Sequence, residues 1–298
     1  MRVVVTGGSG FIGRHTVERL SARGDEVSVV DLRPFGAQGV RCVVGDLRDR
    51  SVVDEAVERG VDAVVHLAAI TSVLQSVNEP DAVFRTNVAG TEHLLERCRA
   101  LGVGRFVFAS TNAVVGDVGR SSIDESLLLH PLTPYGATKA AAEMLLSAYS
   151  SSYGMRTVAL RFTNVYGAGM QTKDSVVARL MRAALSGGGI DVYGDGEQLR
   201  DYVYVTDAVS AIEHALALGS TATLTIGSGR SVSMNELHAI ACEVTGVEIG
   251  KRHVPAKAGE MPAVVVSIAK ARASGWAPAY SLEEGMAATW QDFRRTGG

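Results

Sequence analysis

The chain has 298 residues, of which 46% are hydrophobic and 20% charged, and its formal net charge is −3. This composition describes an ordinary globular protein that can bury a full core in one large domain or two modest ones. It excludes a protein that follows a nucleic-acid backbone with basic runs, because acids and bases are mixed along the chain. No apolar stretch reaches the ~18–20 residues needed to cross a bilayer, so we expect no membrane partner.

The cysteines and histidines do not form metal-binding patterns. Cys42, Cys98 and Cys242 are far apart and lack the spacing of a zinc site or a redox pair, so we expect buried apolar residues. His66 ends an apolar segment, where a packed or hydrogen-bonded role is expected. We predict no metal site. The chain enters its first apolar segment without the h-region and cleavage site of a signal peptide, which predicts the cytoplasm.

In chain order, short Val-rich segments alternate with helical patterns through the first half of the chain. Strands are predicted at 2–6, 26–31, 40–45, 61–68, 105–110 and 156–162. Helices are predicted between them at 11–23, 51–59, 79–101 and 134–153. Nearly continuous apolar strands separated by helices are typical of a parallel sheet covered on both faces. The predicted fold class is therefore α/β, a doubly wound parallel sheet.

The regular alternation of strands and helices ends near residue 165, and segments rich in glycine and acidic residues become frequent after it. Further helices are predicted at about 174–186, 206–218, 233–245 and 281–295. We expect residues 1–165, completed by elements within 204–229, to form the large domain. Residues 166–298 are expected to form a smaller, mixed C-terminal domain.

The segment TGGSGFIG (6–13) lies between the first predicted strand and the first predicted helix. The three-residue spacing of Gly7, Gly10 and Gly13 lets the backbone turn tightly and approach a pyrophosphate at the helix N-terminus. Asp31 follows Gly13 by 18 residues, near the ~20 at which a carboxylate bonds the adenosine ribose 2′-hydroxyl. The acid disfavours the additional phosphate of NADP, although Arg33 weakens that preference. We expect the larger domain to bind NAD.

The segment TPYGATK (133–139) places a phenol and an ammonium group four residues apart. Thr133 is a good N-cap and Pro134 suits the first helical position, so Tyr135 and Lys139 should lie one turn apart on the same helix face. An ammonium group that close lowers the pKa of a tyrosine, which is one way to make a base near neutral pH. The pair can also be two exposed helix neighbours, and the spacing alone does not decide.

Eight segments follow one another through the chain. They are TGGSGFIG (6–13), GDLRD (45–49), HLAA (66–69), NVAGT (87–91), FASTNAVVG (108–116), YGATK (135–139), LRFTNVYGAG (160–169) and VYGDGEQLRDYVYVTD (192–207). Together they resemble the extended short-chain dehydrogenase/reductase family, in particular its nucleotide-sugar branch typified by UDP-glucose 4-epimerase. The resemblance implies an NAD-binding large domain and a C-terminal domain for the nucleotide sugar.

The resemblance also implies roles for single residues. Tyr135 matches the active-site base, and Lys139 matches the residue that lowers the pKa of that base and holds the nicotinamide ribose. Thr111, five residues before Gly116, matches the hydroxyl that relays the proton, with Ser110 as the alternative. Besides the three glycines, the positions that match the NAD contacts are Phe11, Ile12, Asp31, Leu32, Arg33, Asp46, Leu47, Leu67, Ala68, Ala69, Asn87, Phe162 and Thr163.

A second set of positions matches the substrate contacts of the family. Asn164 and Arg200 match residues that grip the nucleotide diphosphate, a task that suits arginine. Tyr193 matches an aromatic residue beside the uracil, although a core role fits equally well. Lys257 stands where relatives usually have a late arginine. Thr71 stands where some galactose epimerases have a lysine, so the identity of the sugar stays open.

The residues after Thr111 bear on the reaction. Sugar 4,6-dehydratases of this family place an acid there, whereas this chain has Asn112 and Ala113, which favours oxidation and reduction at C4. The predicted reaction is NAD-dependent 4-epimerisation of a UDP-sugar through a transient 4-keto intermediate, with UDP-glucose/UDP-galactose preferred and UDP-glucuronate next. A 4-ketoreductase is an alternative, and so is a non-catalytic NAD sensor, although a sensor has no need of the Thr–Tyr–Lys set.

Two predicted helices suggest an assembly. Helices 79–101 and 134–153 carry apolar faces that include Leu94, Leu95, Met144, Leu145 and Tyr149. In the family the equivalent helices form an intersubunit bundle, so the resemblance implies a homodimer. Part of that face could instead pack in the core.

Overall fold

The computed structural model describes residues 1–256 and 261–296, and these residues form two compact units. Unit 1 comprises Met1–Gly116, Glu125–Phe162 and Val209–Leu224, and unit 2 comprises Asp117–Asp124, Thr163–Ala208 and Thr225–Gly298. The strands are β1 (Arg2–Thr6), β2 (Glu26–Asp31), β3 (Arg41–Val44), β4 (Ala63–His66), β5 (Arg105–Thr111), β6 (Ser122–Ile123), β7 (Arg156–Phe162), β8 (Asn164–Tyr166), β9 (Gly189–Tyr193), β10 (Leu199–Tyr204), β11 (Ala222–Ile226), β12 (Ser231–Ser233), β13 (Gly250–Val254) and β14 (Val265–Val266). The α-helices are α1 (Phe11–Ala22), α2 (Arg50–Ala56), α3 (Val73–Asn78), α4 (Pro80–Phe84), α5 (Gly90–Leu101), α6 (Pro134–Tyr153), α7 (Val176–Ser186), α8 (Val205–Ala217), α9 (Met234–Thr245), α10 (Ala269–Ala273) and α11 (Leu282–Thr296).

The main sheet has seven strands in the order β11-β7-β5-β4-β1-β2-β3. All pairings among β1, β2, β3, β4, β5 and β7 are parallel. The central strands are buried on both faces, as Val4, Val64 and Phe106 show with no exposed surface. The predicted doubly wound α/β fold is therefore confirmed. Its strand order reverses at β1, between β2 and β4, which is where open α/β sheets bind ligands.

The six strands and four helices predicted in the first half are present, with one change in the middle. The segment predicted as a single helix over 79–101 contains α4, a π-helical turn at Arg85–Ala89, and α5. Strand β11 and helix α3 were not predicted. The strand reads ATLTI, in which three of five residues are β-branched, and it lies within the segment 204–229 that was expected to complete the large domain. The helix has only six residues, too few for a periodic signal, and begins where Ser72 accepts a hydrogen bond from the Gln75 N–H.

Helix α6 begins and ends as its sequence predicts. The Thr133 hydroxyl accepts a hydrogen bond of 3.2 Å from the Gly136 N–H, and Pro134 occupies the first turn. The helix ends at Gly154, whose φ of 69° lies in the left-handed region that glycine adopts without strain. These caps set the phase of the helix and therefore the direction in which Tyr135 and Lys139 project.

Unit 2 contains three small sheets, β12-β10-β8, β13-β9 and β14-β6. Asp201 on β10 has no exposed surface, and its carboxylate accepts hydrogen bonds of 2.8–2.9 Å from the Thr163 hydroxyl, from the main-chain and side-chain donors of Ser228, and from the Gly229 N–H. This carboxylate joins the start of β8 to the loop after β11. Within the described residues, no helix has both the length and the apolar character needed to span a membrane.

Candidate active site

The glycine loop after β1 is built so tightly that side chains do not fit. Gly7 has a φ of 72°, and a Cβ atom on it would lie 2.7 Å from the Ala68 nitrogen. A Cβ on Gly13 would lie 2.1 Å from the carbonyl oxygen of Gly7. The N-cap of α1 is Gly10, which has no side chain to satisfy the first N–H groups of the helix. The first turn of α1 therefore keeps main-chain donors for an anionic group.

Asp31, the last residue of β2, lies beside this loop. Its carboxylate accepts one hydrogen bond of 3.0 Å from the Ser9 N–H and another of 3.0 Å from the Arg33 N–H. The Arg33 guanidinium donates to the Ser9 carbonyl oxygen over 3.2 Å. Asp31, the acid predicted to bind the ribose, is thus hydrogen-bonded to the glycine loop. The neighbouring Leu32 is exposed.

The other predicted cofactor positions in unit 1 follow the carboxyl ends of neighbouring strands. Asp46 and Leu47 follow β3, residues Leu67–Ala69 follow β4, and Phe162 ends β7. The Arg48 side chain hydrogen-bonds the Asp46 carboxylate and lowers its pKa. The structure therefore brings together at one sheet edge positions that are far apart in sequence.

Asn87 and Phe11 have interior side chains. The Asn87 amide exchanges two hydrogen bonds of 2.9 Å with the main chain of Ile70 and donates a third, of 3.1 Å, to the Thr138 hydroxyl. It therefore fastens the segment after β4 to α6. Phe11 is buried against His15, and Ile12 is half-buried.

His66 connects β1, β4 and α5 through a buried chain of hydrogen bonds. Its Nδ1 lies 2.6 Å from the Thr6 hydroxyl, and its Nε2 lies 2.9 Å from the Thr91 hydroxyl. Since Thr91 donates its proton to the Asn87 carbonyl oxygen, Nε2 must carry the imidazole proton and Nδ1 accepts from Thr6. Burial, reinforced by the charge of Lys139, lowers the pKa of His66 to about 3. The expected hydrogen-bonded role is confirmed.

Thr111 and Tyr135 meet at the end of β5. Thr111 is the last residue of that strand and lies in register with Phe162 of β7. Its hydroxyl forms a hydrogen bond with the phenol of Tyr135, which is the second residue of α6. Ser110 is engaged elsewhere, because its hydroxyl donates to the Glu143 carboxylate over 2.5 Å. The arrangement therefore favours Thr111 over Ser110 as the partner of the phenol.

Lys139 lies one turn after Tyr135 but does not act on its phenol in the way that the spacing predicts. Its amino group donates a hydrogen bond of 2.8 Å to the Ala109 carbonyl oxygen and lies 4.5 Å from the centre of the Phe108 ring. Burial raises the pKa of Tyr135 to about 12, and the hydrogen bond from Thr111 lowers it only in part. The predicted lowering of the Tyr135 pKa is therefore wrong, because the loss of hydration on burial outweighs the hydrogen bond from Thr111.

The predicted substrate positions are divided between the units. Thr71 is an exposed residue of unit 1. In unit 2, the exposed Asn164 donates to the Asp201 carbonyl oxygen over 2.8 Å, and Arg200 donates to the carbonyl oxygens of Leu199 and Met261 over 2.8 Å and 3.0 Å. Tyr193 is half-buried at the end of β9, and Lys257 lies outside the described residues. Thr163, which was predicted as a cofactor contact, also lies in unit 2, and its hydroxyl donates to the Asp201 carboxylate.

Comparison with known proteins identifies the family. The model of the NAD dependent epimerase/dehydratase family matches residues 3–227, most of the chain. The chain belongs to this family. The resemblance inferred from the eight sequence segments is thereby confirmed.

Solved structures of this family resemble the chain over its whole length. UDP-glucose 4-epimerase from Thermotoga maritima, determined with UDP-glucose, is 34% identical, covers 100% of both chains and has a TM-score of 0.95. UDP-glucose 4-epimerase from Thermus thermophilus, in complex with NAD, is 38% identical over 99% of this chain and 100% of that chain, with a TM-score of 0.93. MoeE5, in complex with UDP-glucuronic acid and NAD, is 35% identical with the same coverage and a TM-score of 0.91.

The residues of unit 1 fit the NAD that the family name implies. The glycine loop packs so closely that a Cβ on Gly7 or Gly13 would meet main-chain atoms, and it leads into the first turn of α1, which has no side-chain cap. The Asp31 carboxylate supplies a ribose acceptor at the next strand end. In the described part of the chain, no cluster of three or more His, Cys, Asp or Glu side chains is arranged for a metal ion.

Two residues near Thr111 and Tyr135 were not predicted from the sequence. Glu143 lies two helical turns after Tyr135, and it forms a buried ion pair of 2.8 Å with Arg161 of β7. Ser110, the cross-strand partner of Arg161, completes the group. Two signals were available: the four-residue spacing from Lys139 to Glu143, and a charged residue within the apolar segment TVALRF.

Proposed function

We propose that this chain is an NAD-dependent 4-epimerase of UDP-sugars, with UDP-glucose and UDP-galactose as its first candidate pair. The observation that carries the proposal is the Thr111–Tyr135 hydrogen bond, at the same sheet edge as the glycine loop and Asp31. The two UDP-glucose 4-epimerase structures described above support it, since they cover essentially the whole chain.

The proposed work of the chain is binding, orientation and proton movement. When bound, NAD⁺ accepts a hydride from C4 of the sugar, returns it, and adds positive charge to the site. The Tyr135 oxygen takes the proton of the sugar C4 hydroxyl, and the Thr111 hydroxyl relays it. Return of that proton after the 4-keto sugar has turned completes the inversion.

The phenol must lose its proton before it can act as a base. With a pKa of about 12, only about one molecule in 10⁵ carries the phenolate at pH 7. The cationic side chain of Lys139 must therefore act together with the charge of the loaded site. Such adjustment brings the pKa of a catalytic group toward the working pH.

The remaining site residues are proposed by their positions. Gly7, Gly10 and Gly13 would surround the pyrophosphate, Asp31 would bind the adenosine ribose, and Lys139 the nicotinamide ribose. Asn164 and Arg200 would bind the substrate diphosphate, with Tyr193 beside the uracil. Lys257 remains a prediction of the sequence, as do the assignments of unit 1 to NAD and unit 2 to the nucleotide sugar.

The decisive experiment follows the product and the redox balance together. Purified protein is incubated with UDP-glucose, UDP-galactose or UDP-glucuronate, without added NADH, and the products are identified by NMR while the absorbance of reduced nicotinamide is recorded. We expect the 4-epimer to form without a stoichiometric absorbance change.

Product that forms only as NADH is consumed mole for mole would establish a ketoreductase instead. Conversion of UDP-glucuronate alone would reassign the sugar. Bound NAD without any product from the three sugars would favour a sensor.

A homodimer is part of the proposal, with a corrected contact surface. Leu94 and Leu95 have no exposed surface and belong to the core, and Leu145 and Tyr149 pack against it. Of the residues named on the predicted face, Met144 is the one that is largely exposed, at 62%, while Leu145 and Tyr149 are partly buried. Exposed apolar residues also occur on the neighbouring α3 and α4, both of which contact α6: Val73, Leu74, Val77 and Phe84.

This surface gives the dimer a specific test. Light scattering of the wild-type protein at micromolar concentration should report a dimer, and Leu74→Arg should weaken it because a charge would be buried in an apolar contact. Leu128→Arg is the matched control, since Leu128 is also exposed but lies elsewhere. A wild-type monomer would refute the assembly. The cytoplasmic location stays a prediction that cell fractionation can test.

A further inference from the structure

A buried polar cluster lies behind the proposed catalytic residues. The Glu143 carboxylate accepts a hydrogen bond of 2.5 Å from the Ser110 hydroxyl, and bonds of 2.8 Å and 3.0 Å from Nη2 and Nε of Arg161. The relative exposure of each of the three residues is 8% or less. Arg161 and Ser110 are cross-strand neighbours on β7 and β5, whereas Glu143 lies on α6. One carboxylate thus ties the catalytic helix to two strands.

The same carboxylate lies one helical turn from the buried Lys139 side chain. Burial lowers the pKa of Lys139 to about 7, and the negative charge of Glu143 opposes that lowering. Besides Glu143 and Tyr135 on its own helix, the groups around Lys139 are His66 on β4, the Ala109 carbonyl oxygen and the Phe108 ring on β5, and Arg161 on β7 behind Glu143. Burial keeps His66 neutral near neutral pH, so Glu143 is the anion that favours a charged Lys139.

The cluster also determines where Thr111 lies. Ser110 and Thr111 are consecutive residues at the end of β5, so their side chains project to opposite faces. Fixing Ser110 on Glu143 therefore fixes the direction of Thr111. Tyr135 and Glu143 lie two turns apart on α6. The helix therefore positions Tyr135 directly, and it positions Thr111 through the contact between Ser110 and Glu143.

We propose that Glu143 is a positioning residue that keeps Lys139 in its ammonium form and holds the end of β5 so that Thr111 meets Tyr135. Arg161 balances the buried carboxylate, because an unpaired ion there would be strongly destabilising. The inference deepens the proposed function and rests on it for the role of Lys139. Its electrostatic part can be measured without any turnover.

The first readout is the titration of Lys139 in the ligand-free protein. The side-chain ¹⁵N signal of Lys139, assigned by its loss in Lys139→Met, is followed against pH. We expect a wild-type midpoint near the pKa of about 7. In Glu143→Gln, which keeps an acceptor for Ser110 but loses the charge, the midpoint should fall by at least about one pH unit. An unchanged midpoint in the folded variant would overturn the proposal.

A second variant separates charge from stability. Glu143→Gln leaves Arg161 as an uncompensated buried cation, so that variant is expected to be less stable. Glu143→Gln combined with Arg161→Met removes both charges and should recover thermal stability while the Lys139 midpoint stays low. Recovery of the wild-type midpoint together with stability would show that Glu143 has only a structural role.

Turnover supplies the last readout. In Glu143→Gln, the alkaline limb of the pH dependence of kcat should move to lower pH, because Lys139 loses its proton earlier, while KM changes by less than about threefold. Glu213→Gln is the matched control, since it removes a salt bridge of 2.8 Å with Arg19 in unit 1, and it should leave the profile unchanged. A fall in kcat with an unshifted limb would contradict the proposal.

Absence of 4-epimer in the wild type would refute the proposed function, whereas the NMR midpoints would still decide the role of Glu143.

Discussion

The amino group of Lys139 donates a hydrogen bond of 2.8 Å to the main-chain carbonyl oxygen of Ala109. This bond joins the second turn of α6 to β5, two residues before Thr111. The lysine is therefore bound to the strand, and burial raises the pKa of the neighbouring phenol to about 12.

The phenol of Tyr135 is the first group to test. Tyr135→Phe removes only the hydroxyl, so NAD binding should persist while kcat falls by the ~10²–10⁴ typical of general acid–base catalysis. Calorimetric titration with NAD and initial rates measure the two effects. Tyr153→Phe, an exposed tyrosine on the last turn of the same helix, should keep wild-type rates. Near-normal turnover in Tyr135→Phe would show that another group is the base.

The glycine loop predicts a sharp effect of a single methyl group. In Gly13→Ala the added Cβ would lie 2.1 Å from the Gly7 carbonyl oxygen, so the loop must shift. We therefore expect the affinity for NAD to fall at least about tenfold, which corresponds to ~1.4 kcal/mol of binding free energy. Gly36→Ala is the control, because no atom lies within 4 Å of its added Cβ. Equal NAD affinities in the two variants, measured by fluorescence titration, would contradict the assignment of this loop.

Lys139 makes the stability of the ligand-free protein depend on pH. Its pKa is about 7 in the folded chain and near ~10.4 when unfolded. Between these values the unfolded chain binds more protons, so the free energy of unfolding should rise with pH. The rise from pH 7 to pH 9 should be about 2 kcal/mol larger in the wild type than in Lys139→Met. Urea denaturation at both pH values measures it, and parallel pH dependences would refute the burial of a titrating lysine.

His66 should stay neutral at mildly acidic pH. Its folded pKa of about 3 lies below the unfolded value of ~6.5, so its contribution to stability is present above pH 6.5 and is lost as the pH falls toward 3. Long-range ¹H–¹⁵N NMR at pH 5 should show the neutral Nε2–H tautomer that the Thr6 and Thr91 contacts require. An imidazolium spectrum at that pH would mean that the chain of hydrogen bonds is open to water.

Much of the fold and part of the site could be predicted because their signals are local. The Val-rich strands, the caps of α6 and the spacing of Gly7, Gly10 and Gly13 depend on residues within one or two turns. Helix α3 was missed because its six residues are too few to show a period, and β11 was anticipated only as an unspecified element within 204–229. The predicted dimer face wrongly included Leu94 and Leu95, which lie in the core. An apolar position on a helix has the same sequence pattern whether it faces a partner or the core.

By itself, the sequence determined the parallel α/β fold, the family, and the identities of Thr111, Tyr135 and Lys139 as candidate residues, because each rests on a short pattern of residue types. Only the tertiary structure decided their chemistry. The pKa values of Tyr135 and Lys139 depend on burial, and the Thr111 hydroxyl that bonds the phenol and the Ala109 carbonyl oxygen that binds Lys139 both come from β5, a distant part of the sequence. Desolvation acts through everything that surrounds a group in space, and no spacing along the chain records it.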